Sequence, residues 1–322
     1  VIGMPMVNVS EKTLDGLKKT RDKEQLKSLD GAIRHLLGYA PHIKKEDIFA
    51  EDFAYMNLRF FSEYCWQDIS GQVPNGAFQD EWYRLLQGDD RPPRLHIQTA
   101  REHGKTTCLA VKYPLWRVGR DPSLRVMIVS KSATLATLVL REIKRNIEGN
   151  RRLQSVFPLM RPDMPWGGGE LQVERGHEVI LKDPTFVGVG LHGSLTGRRA
   201  DLIIIDDPFD ETDVRTELQR KKVEDWVERI LVPTLTPSGE IVAVGTPQHD
   251  DDYWSKLEEK SVGLEGNYVV KKYPAIRDYN PDLPISEWQI QWPEVWTAKR
   301  LTERRREIGS IKFSRLYLLD RG

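Results

Sequence analysis

Leu95-His96-Ile97-Gln98-Thr99-Ala100-Arg101-Glu102-His103-Gly104-Lys105-Thr106-Thr107 is the stretch that decides the fold of this chain. An apolar, strand-like lead-in runs into a short loop that closes on Gly104-Lys105-Thr106-Thr107. A helical pattern then begins at Cys108-Leu109-Ala110-Val111. This order describes a phosphate-binding loop, whose backbone N–H groups form an anion nest at a helix N-terminus, where the dipole also favours negative charge. In such a loop Lys105 is expected to reach the β- and γ-phosphates, and the Thr106 hydroxyl to join a Mg²⁺ shell. One position departs from the pattern G-x-x-x-x-G-K-[ST]: Thr99 stands where the first glycine is usual. Gly-Lys-Thr alone is also a common surface turn; the strand before it and the helix after it supply the context that the nest requires.

A second segment completes the expected site. Leu202-Ile203-Ile204-Ile205 is an aliphatic run ending in Asp206-Asp207, 100 residues after Thr106. A buried strand with a polar end would account for these residues by itself. Paired with a phosphate loop, Asp206 is expected to hold Mg²⁺ through water, and Asp207 to orient and deprotonate the attacking water. The carboxylate in that second place is often Glu, so Asp207 sits on a stem one methylene shorter. Ile241-Val242-Ala243-Val244-Gly245-Thr246-Pro247 is a further strand that ends in a hydroxyl. Thr246 reads either as part of an ordinary Gly-Thr-Pro turn or as a sensor that hydrogen-bonds the γ-phosphate and passes its loss onward.

Strands are expected at Arg94 to Gln98, Arg125 to Val129, Leu202 to Ile205 and Glu240 to Val244, the last three being short aliphatic runs flanked by turn residues, as buried parallel strands are. Glu170 to Gly190 alternates like antiparallel hairpin strands, through Leu171 and Val173, then Val179 and Leu181, then Phe186, Val187 and Val189. Strand–helix alternation predicts an open α/β sheet with ligands outside the carboxyl ends of its strands. Before it, Ser10 to about Phe60 carries Leu14, Leu17, Leu26, Leu29, Ile33, Leu36 and Leu37 at helical spacing, so residues 1–60 are expected to form a helical arm. The core is expected over 61–248. After Pro247, four tryptophans, several prolines and a basic run predict a small, less regular lid or linker over 249–322. Ser130-Lys131-Ser132-Ala133-Thr134 opens a helix; helix capping explains these residues, and so does contact with nucleic-acid phosphates, common at this place in motor ATPases.

The 322 residues suffice for a large core, and Lys plus Arg equals Asp plus Glu at 48 each, so no global basic field announces a polyanionic partner. Cys65 and Cys108 are too few for a disulfide framework or a multi-cysteine metal site. No apolar run reaches the ~18 to 20 residues of a membrane span, and the N-terminus lacks a secretion signal, so a soluble cytoplasmic protein is the default expectation. Val1 in place of Met suggests a processed or trimmed chain.

Taken together, Ala100 to Thr107, Leu195-Thr196-Gly197-Arg198-Arg199-Ala200-Asp201-Leu202 running into Asp206-Asp207, and Gly245-Thr246-Pro247 resemble the ATPase domain of the large terminase subunit, the DNA-packaging motor of tailed bacteriophages. The resemblance spans about Phe60 to Gln248. That family tolerates the missing first glycine and places Arg inside the loop. It implies a P-loop NTPase fold of the ASCE type, with a mainly parallel central sheet flanked by helices, and ATP with Mg²⁺ as cofactors, bound across Thr99, Ala100, Arg101, Glu102, His103, Gly104, Lys105, Thr106 and Thr107. It implies that Arg101 swings toward the γ-phosphate, that Gln79 contacts adenine, and that Arg198 or Arg199 enters a neighbouring subunit's site. Pairing of these arginines with Asp201 or Asp206 is the competing reading. The implied partners are double-stranded DNA, a portal protein, a small terminase subunit, a nuclease domain and further copies in a ring, without a membrane, in the host cytoplasm.

Asp250, Asp251, Asp252, Glu258 and Glu259 form one local acidic run, expected to be a solvated turn and helix start, and no DNA cleavage is expected of this chain. The basic run Lys299, Arg300, Arg304, Arg305 and Arg306 reads as a solvated helix face or a DNA contact. Two other functions compete with a translocating motor. A two-lobed helicase would share the motifs, but only 75 residues follow Pro247, too few for a second α/β lobe. A nucleotide-gated assembly module with negligible hydrolysis alone is the other.

Overall fold

The four aliphatic runs lie side by side as parallel strands: β1 (Arg94–Thr99), β2 (Val126–Ser130), β6 (Ala200–Asp206) and β7 (Leu235–Gly245). With β3 (Pro162–Gly167), β4 (Glu170–Val173), β5 (Phe186–Gly190) and β8 (Val269–Tyr273) they form an eight-stranded sheet of order β3-β4-β5-β2-β6-β7-β1-β8 in a computed structural model that describes residues 50–69, 71, 73–88, 90–175, 181–261 and 268–320. Ile203 pairs with Met127 on one side and Ile241 on the other, and Leu95 with Val242, so β6 and β7 sit at the sheet centre. Their side chains alternate between two apolar layers. Leu202, Ile204, Val242 and Val244 face one layer; Ile203, Ile205, Ile241 and Ala243 face the other. Burial on both faces is what a near-continuous aliphatic strand requires, and it places helices above and below the sheet.

The helical pattern after the lysine loop is a π-helical stretch, Thr106–Lys112, that continues as an α-helix, Tyr113–Arg120. A helix over Ala133–Gly149 follows β2, capped by the Ser132 side chain, which accepts from Leu135 N. Both pack on the first layer. On the second lies a helix over Glu217–Trp226 that begins with a Thr216–Gln219 capping box.

The hairpin expectation holds in part. β4 (Glu170–Val173) runs antiparallel to β5 (Phe186–Gly190), with Leu171 opposite Phe186. Val179 lies outside the described residues, and Leu181 is not in a strand. β4 also pairs with β3 (Pro162–Gly167), an edge strand whose two prolines hide it from a pattern search. The leucines and Ile33 of the expected N-terminal arm also lie outside the described residues; helices over Ala50–Met56 and Leu58–Tyr64 pack their Ala54, Leu58 and Phe61 into the core.

The segment after Pro247 shares the central sheet. β8 (Val269–Tyr273) pairs in parallel with β1, and a small β9–β10 ladder (Ile276–Arg277, Gln289–Ile290) follows. A helix over Ala298–Ile308, a helical turn at Ser310–Phe313 and a π-helical turn at Ser314–Leu318 then bring the chain back to the lysine loop. Arg101 N donates to Leu316 O (3.0 Å), and Ala275 N donates to Tyr317 O (2.7 Å).

Candidate active site

The carboxyl ends of β1, β6 and β7 are adjacent, and the loops leaving them converge. Lys105 Nζ donates to Thr246 Oγ1 (2.8 Å) and lies 2.8 Å from Asp207 Oδ2. The Thr106 hydroxyl donates to Asp206 Oδ1 (3.0 Å). Thr246 closes the group: its N–H donates to Asp207 Oδ1 (3.2 Å) and its hydroxyl to Thr99 O (3.1 Å). Residues separated by about 140 positions in the chain thus form one polar cluster at the point where an open α/β sheet takes its ligands.

Two adjacent carboxylates, one of them buried, and a buried lysine set the electrostatics of this cluster. Asp206 is buried (6% exposed), and desolvation, then the charge of Asp207, push its carboxyl well above the ordinary carboxylate range, while Thr106 and Lys105 pull it back. Asp207 holds a left-handed backbone (φ 42°), sparsely populated for a non-glycine residue and recurrent at functional sites. That bend turns its carboxylate toward Lys105, while Asp206 stays with the strand and faces Thr106.

The loop explains its own departure from the usual pattern. Thr99 is the buried last residue of β1, and its hydroxyl donates to Tyr273 O on β8 (3.4 Å), so no glycine is needed there. The left-handed positions fall later, at Glu102 (φ 61°) and Gly104 (φ 77°). A Cβ on Gly104 would meet Gln79 Nε2 at 2.8 Å. Gln79 itself is buried and serves the loop: its carbonyl accepts from Gly76 N (3.0 Å) and its amide donates to His103 O (3.2 Å). His103 is buried too, with Nδ1 2.9 Å from Arg101 O, and burial lowers its pKa to about 4. Ala100 is buried, with its N–H donating to Tyr273 O (3.1 Å), and Thr107 is exposed. Arg101 projects an exposed side chain that makes no hydrogen bond or ion pair among the described residues.

A family model for the terminase large subunit, T4likevirus-type, N-terminal, matches residues 97–310. This chain belongs to the large terminase subunit family. It is 27% identical over 274 residues to the large terminase subunit of Enterobacteria phage T3, covering 79% of this chain and 45% of that protein. The chain therefore spans about half the length of the curated relative it matches. Its fold resembles the ATPase domain of the Thermus phage P74-26 large terminase, solved as a mutant with one arginine replaced by alanine (TM-score 0.54, 18% identity, 81% of this chain and 97% of that one). It also resembles the large terminase of bacteriophage HK97 (TM-score 0.54, 17% identity, 83% of this chain and 55% of that one). The fold is α/β, of the ASCE P-loop type, with a mainly parallel sheet.

In this large terminase chain Arg198 and Arg199 stand apart from the lysine cluster. They precede Ala200 at the amino end of β6, six residues and roughly 20 Å from Asp206 along the strand. Neither pairs with Asp201 or Asp206, against the reading that offered those partners. Arg198 pairs with Glu170, the exposed Arg199 donates to Arg198 O (3.1 Å), and Asp201 is held by Arg125 (2.8 Å). The acids after Pro247 are dispersed among separate partners: Asp250 with Arg315 (3.2 Å), Asp251 with Arg220 (3.1 Å) and Lys256 (2.9 Å), Asp252 as the buried helix cap, Glu258 with Lys272 (2.6 Å) and Gln98, and Glu259 with Lys256 (3.7 Å). Asp252 and Glu258 are thus parts of the packed structure rather than a solvated turn. Of the basic run, Arg304 reaches the loop residue Glu102 (3.6 Å) and Arg305 donates to Tyr279 Oη (2.8 Å).

Sequence reading missed the aromatic shell behind the loop. His103 stacks on Trp296 (8° between planes) and lies 6.0 Å from both Phe78 and Trp292, while Phe78 also meets Tyr273. Of the four tryptophans after Pro247, Trp292 and Trp296 form this wall, whereas Trp254 stacks on His96 in the second apolar layer and Trp288 meets Tyr279. No helix among the described residues is long and apolar enough to cross a membrane.

Proposed function

We propose that this chain is the motor part of a large terminase, hydrolysing ATP to drive double-stranded viral DNA into a procapsid. The observation that carries the reading is the meeting of Lys105, Thr106, Asp206, Asp207 and Thr246 at the carboxyl ends of three adjacent strands. Thr106 and Asp206 suit Mg²⁺: a hydroxyl and a buried carboxylate lie side by side, with the Asp206 charge disfavoured first by burial and then by Asp207 until a cation is near. When bound, Mg²⁺ would neutralise phosphate charge.

The chain's own residues then divide the work. Backbone N–H groups of Arg101 to Thr107 would cradle the phosphates, and Lys105 would leave Asp207 and Thr246 to meet the β- and γ-oxygens. That exchange releases Asp207 to orient water and accept its proton. Arg101, free at the rim of the loop, would add positive charge to the γ-phosphoryl group, a contribution of ~10³ to 10⁵ in rate where such fingers have been measured. Thr246, bonded to Lys105 and to the Asp207 carboxylate, would pass loss of the γ-phosphate to the segment that follows, the proposed lid or linker. Gln79 would meet the base from its place beneath the loop. Arg198 and Arg199 are too far from their own cluster to act within it, so they would act on a neighbouring copy's site in a ring.

The portal, small terminase subunit and nuclease domain are partners of the whole protein on this reading, which acts at the procapsid in the host cytoplasm. A nucleotide-gated assembly module with slow hydrolysis is favoured by one observation, the engagement of Arg198 with Glu170. Steady-state turnover separates the two. A ring motor gives turnover that rises more steeply than linearly with protein concentration and falls with Arg198→Ala or Arg199→Ala. A monomeric module gives linear turnover indifferent to both. Unchanged turnover and ATP binding in Lys105→Ala would sink either reading.

A further inference from the structure

Behind the lysine loop lies a buried charge that the hydrolytic chemistry does not use. Lys112 ends the π-helical stretch that opens at Thr106, and it is 1% exposed. Its ammonium donates to Ser62 O (3.1 Å) and Ser62 Oγ (3.0 Å) and lies 5.0 Å from the centre of the Trp66 ring, with no carboxylate at ion-pair distance among the described residues. Burying an ammonium against neutral acceptors is costly, and an apolar side chain of similar length would fill the space without that cost. The contacts around it close into a ring. Tyr83 Oη lies 2.8 Å from Ser62 Oγ and donates to Cys108 Sγ (3.3 Å), one turn before Lys112. Ser62, Tyr83 and Cys108 are buried as well. The helix over Gln79–Gln87 that carries Tyr83 also carries Gln79, one turn earlier, on His103 O. One helix therefore grips both the phosphate loop and the turn from Cys108 to Lys112.

That turn is wider than an α-helix. Tyr113 N donates to Cys108 O, five residues back, where an α-helix would use Leu109 O. The extra residue rotates what precedes it by about 100° around the helix axis, relative to an unbroken α-helix. Lys105 and Thr106 stand at its start, so their aim depends on the turn staying open. Ser62 holds one end of the turn directly, through Lys112, and the other through Tyr83 and Cys108. We infer that Lys112 is a positioning residue of the nucleotide site, gripping Ser62 to hold the π-turn open and so aiming Thr106 at Asp206 and Lys105 at Asp207 and Thr246. The inference rests on the hydrolytic reading for its effect on turnover; its structural half stands on the contacts behind the helix.

Steady-state ATP turnover across a Mg²⁺ series, beside a melting curve, tests it in Lys112→Met. Methionine keeps the length and loses the charge and the donors, so the melting temperature should stay at the wild-type value or rise. Turnover at saturating ATP and the apparent Mg²⁺ affinity should nevertheless each fall about 10- to 100-fold, as they do when a metal ligand loses its support. A residue that only supports the fold would show the reverse, a lower melting temperature with turnover kept. Ser62→Ala, which spares the carbonyl contact, should lose about tenfold in turnover. The double variant should be no worse than Lys112→Met alone, because both changes act on one turn. A crystal structure of Lys112→Met without nucleotide should show Tyr113 N bonded to Leu109 O and Thr106 parted from Asp206. Wild-type turnover and Mg²⁺ dependence in a folded Lys112→Met or in Ser62→Ala, independent losses in the double variant, or a retained π-turn with Thr106 on Asp206 would overturn the inference. The crystal structure needs no ATP, so a wild-type protein that fails to hydrolyse ATP defeats the hydrolytic reading and leaves this arm decisive on its own.

Discussion

Asp206→Asn should make the metal-free protein more stable while removing its function. The Asp206 carboxylate is buried beside Asp207, and its gains are one hydroxyl bond from Thr106 and the more distant Lys105 charge. Asparagine keeps the acceptor for Thr106 and removes the charge. Bringing a carboxylate out of water costs several kcal/mol, of which a hydroxyl bond returns about 1, so the variant should gain about 1–3 kcal/mol at neutral pH. For a chain of this size the gain corresponds to a melting temperature roughly 2–6 °C higher. The pH dependence has a definite sign. The folded carboxyl titrates above the unfolded one at about 3.9, so the folded state binds more protons between them and wild-type stability falls as pH rises through that window. The folded carboxyl is pushed up to about 7, so the advantage of Asn should vanish below about pH 4 and be full only above about pH 7. Differential scanning fluorimetry in EDTA, with magnesium-dependent ATP turnover beside it, measures both effects. A lower melting temperature for Asp206→Asn at pH 7.5 in EDTA would refute the electrostatic account of the site.

Gly104→Ala should lose ATP binding while the protein stays folded: a left-handed alanine costs about 1–2 kcal/mol, and its Cβ would displace the Gln79 amide from His103 O; calorimetric titration with ATP reads the loss. Thr246→Ser should retain most turnover and Thr246→Val little, because the hydroxyl alone joins Lys105 to Thr99 O; steady-state kinetics distinguish them. At the other end of the sheet, Glu240→Ala should destabilise by about 3–5 kcal/mol in urea, since Arg91 (2.7 Å) and Arg117 (2.7 Å) would both lose a largely buried carboxylate. On the acid side, His103 resists protonation until about pH 4 while the unfolded chain accepts a proton near 6.5, so stability contributed by its neutral form should fall through that window; His103→Phe should flatten that limb of the urea midpoint against pH.

The residues that could be read in sequence were those whose environment repeats along the strand. Ile203, Ile204 and Ile205 are buried on both faces of the sheet, and no other element explains such a run. β8 escaped because it is an edge strand, with Lys271 and Lys272 paired to Glu81 and Glu258 rather than buried. β3 escaped because Pro162 and Pro165 read as loop residues, which an edge position tolerates. At the site, the lysine and the aspartates were legible from their spacing to strand ends. The contact of Lys105 with Thr246 was not, since it depends on β1 and β7 being neighbours in the sheet. Nor were the roles of Gln79 and Trp296 behind the loop, which arise from packing between segments more than 20 residues apart.

The most direct trial of the central claim is a crystal structure with Mn²⁺ and a non-hydrolysable ATP analogue, located by anomalous scattering. The manganese signal should lie between Thr106 and Asp206, with Lys105 on the terminal phosphates and Asp207 no longer bonded to it. Manganese and triphosphate bound elsewhere, with the Lys105–Asp207 pair intact, would contradict the account.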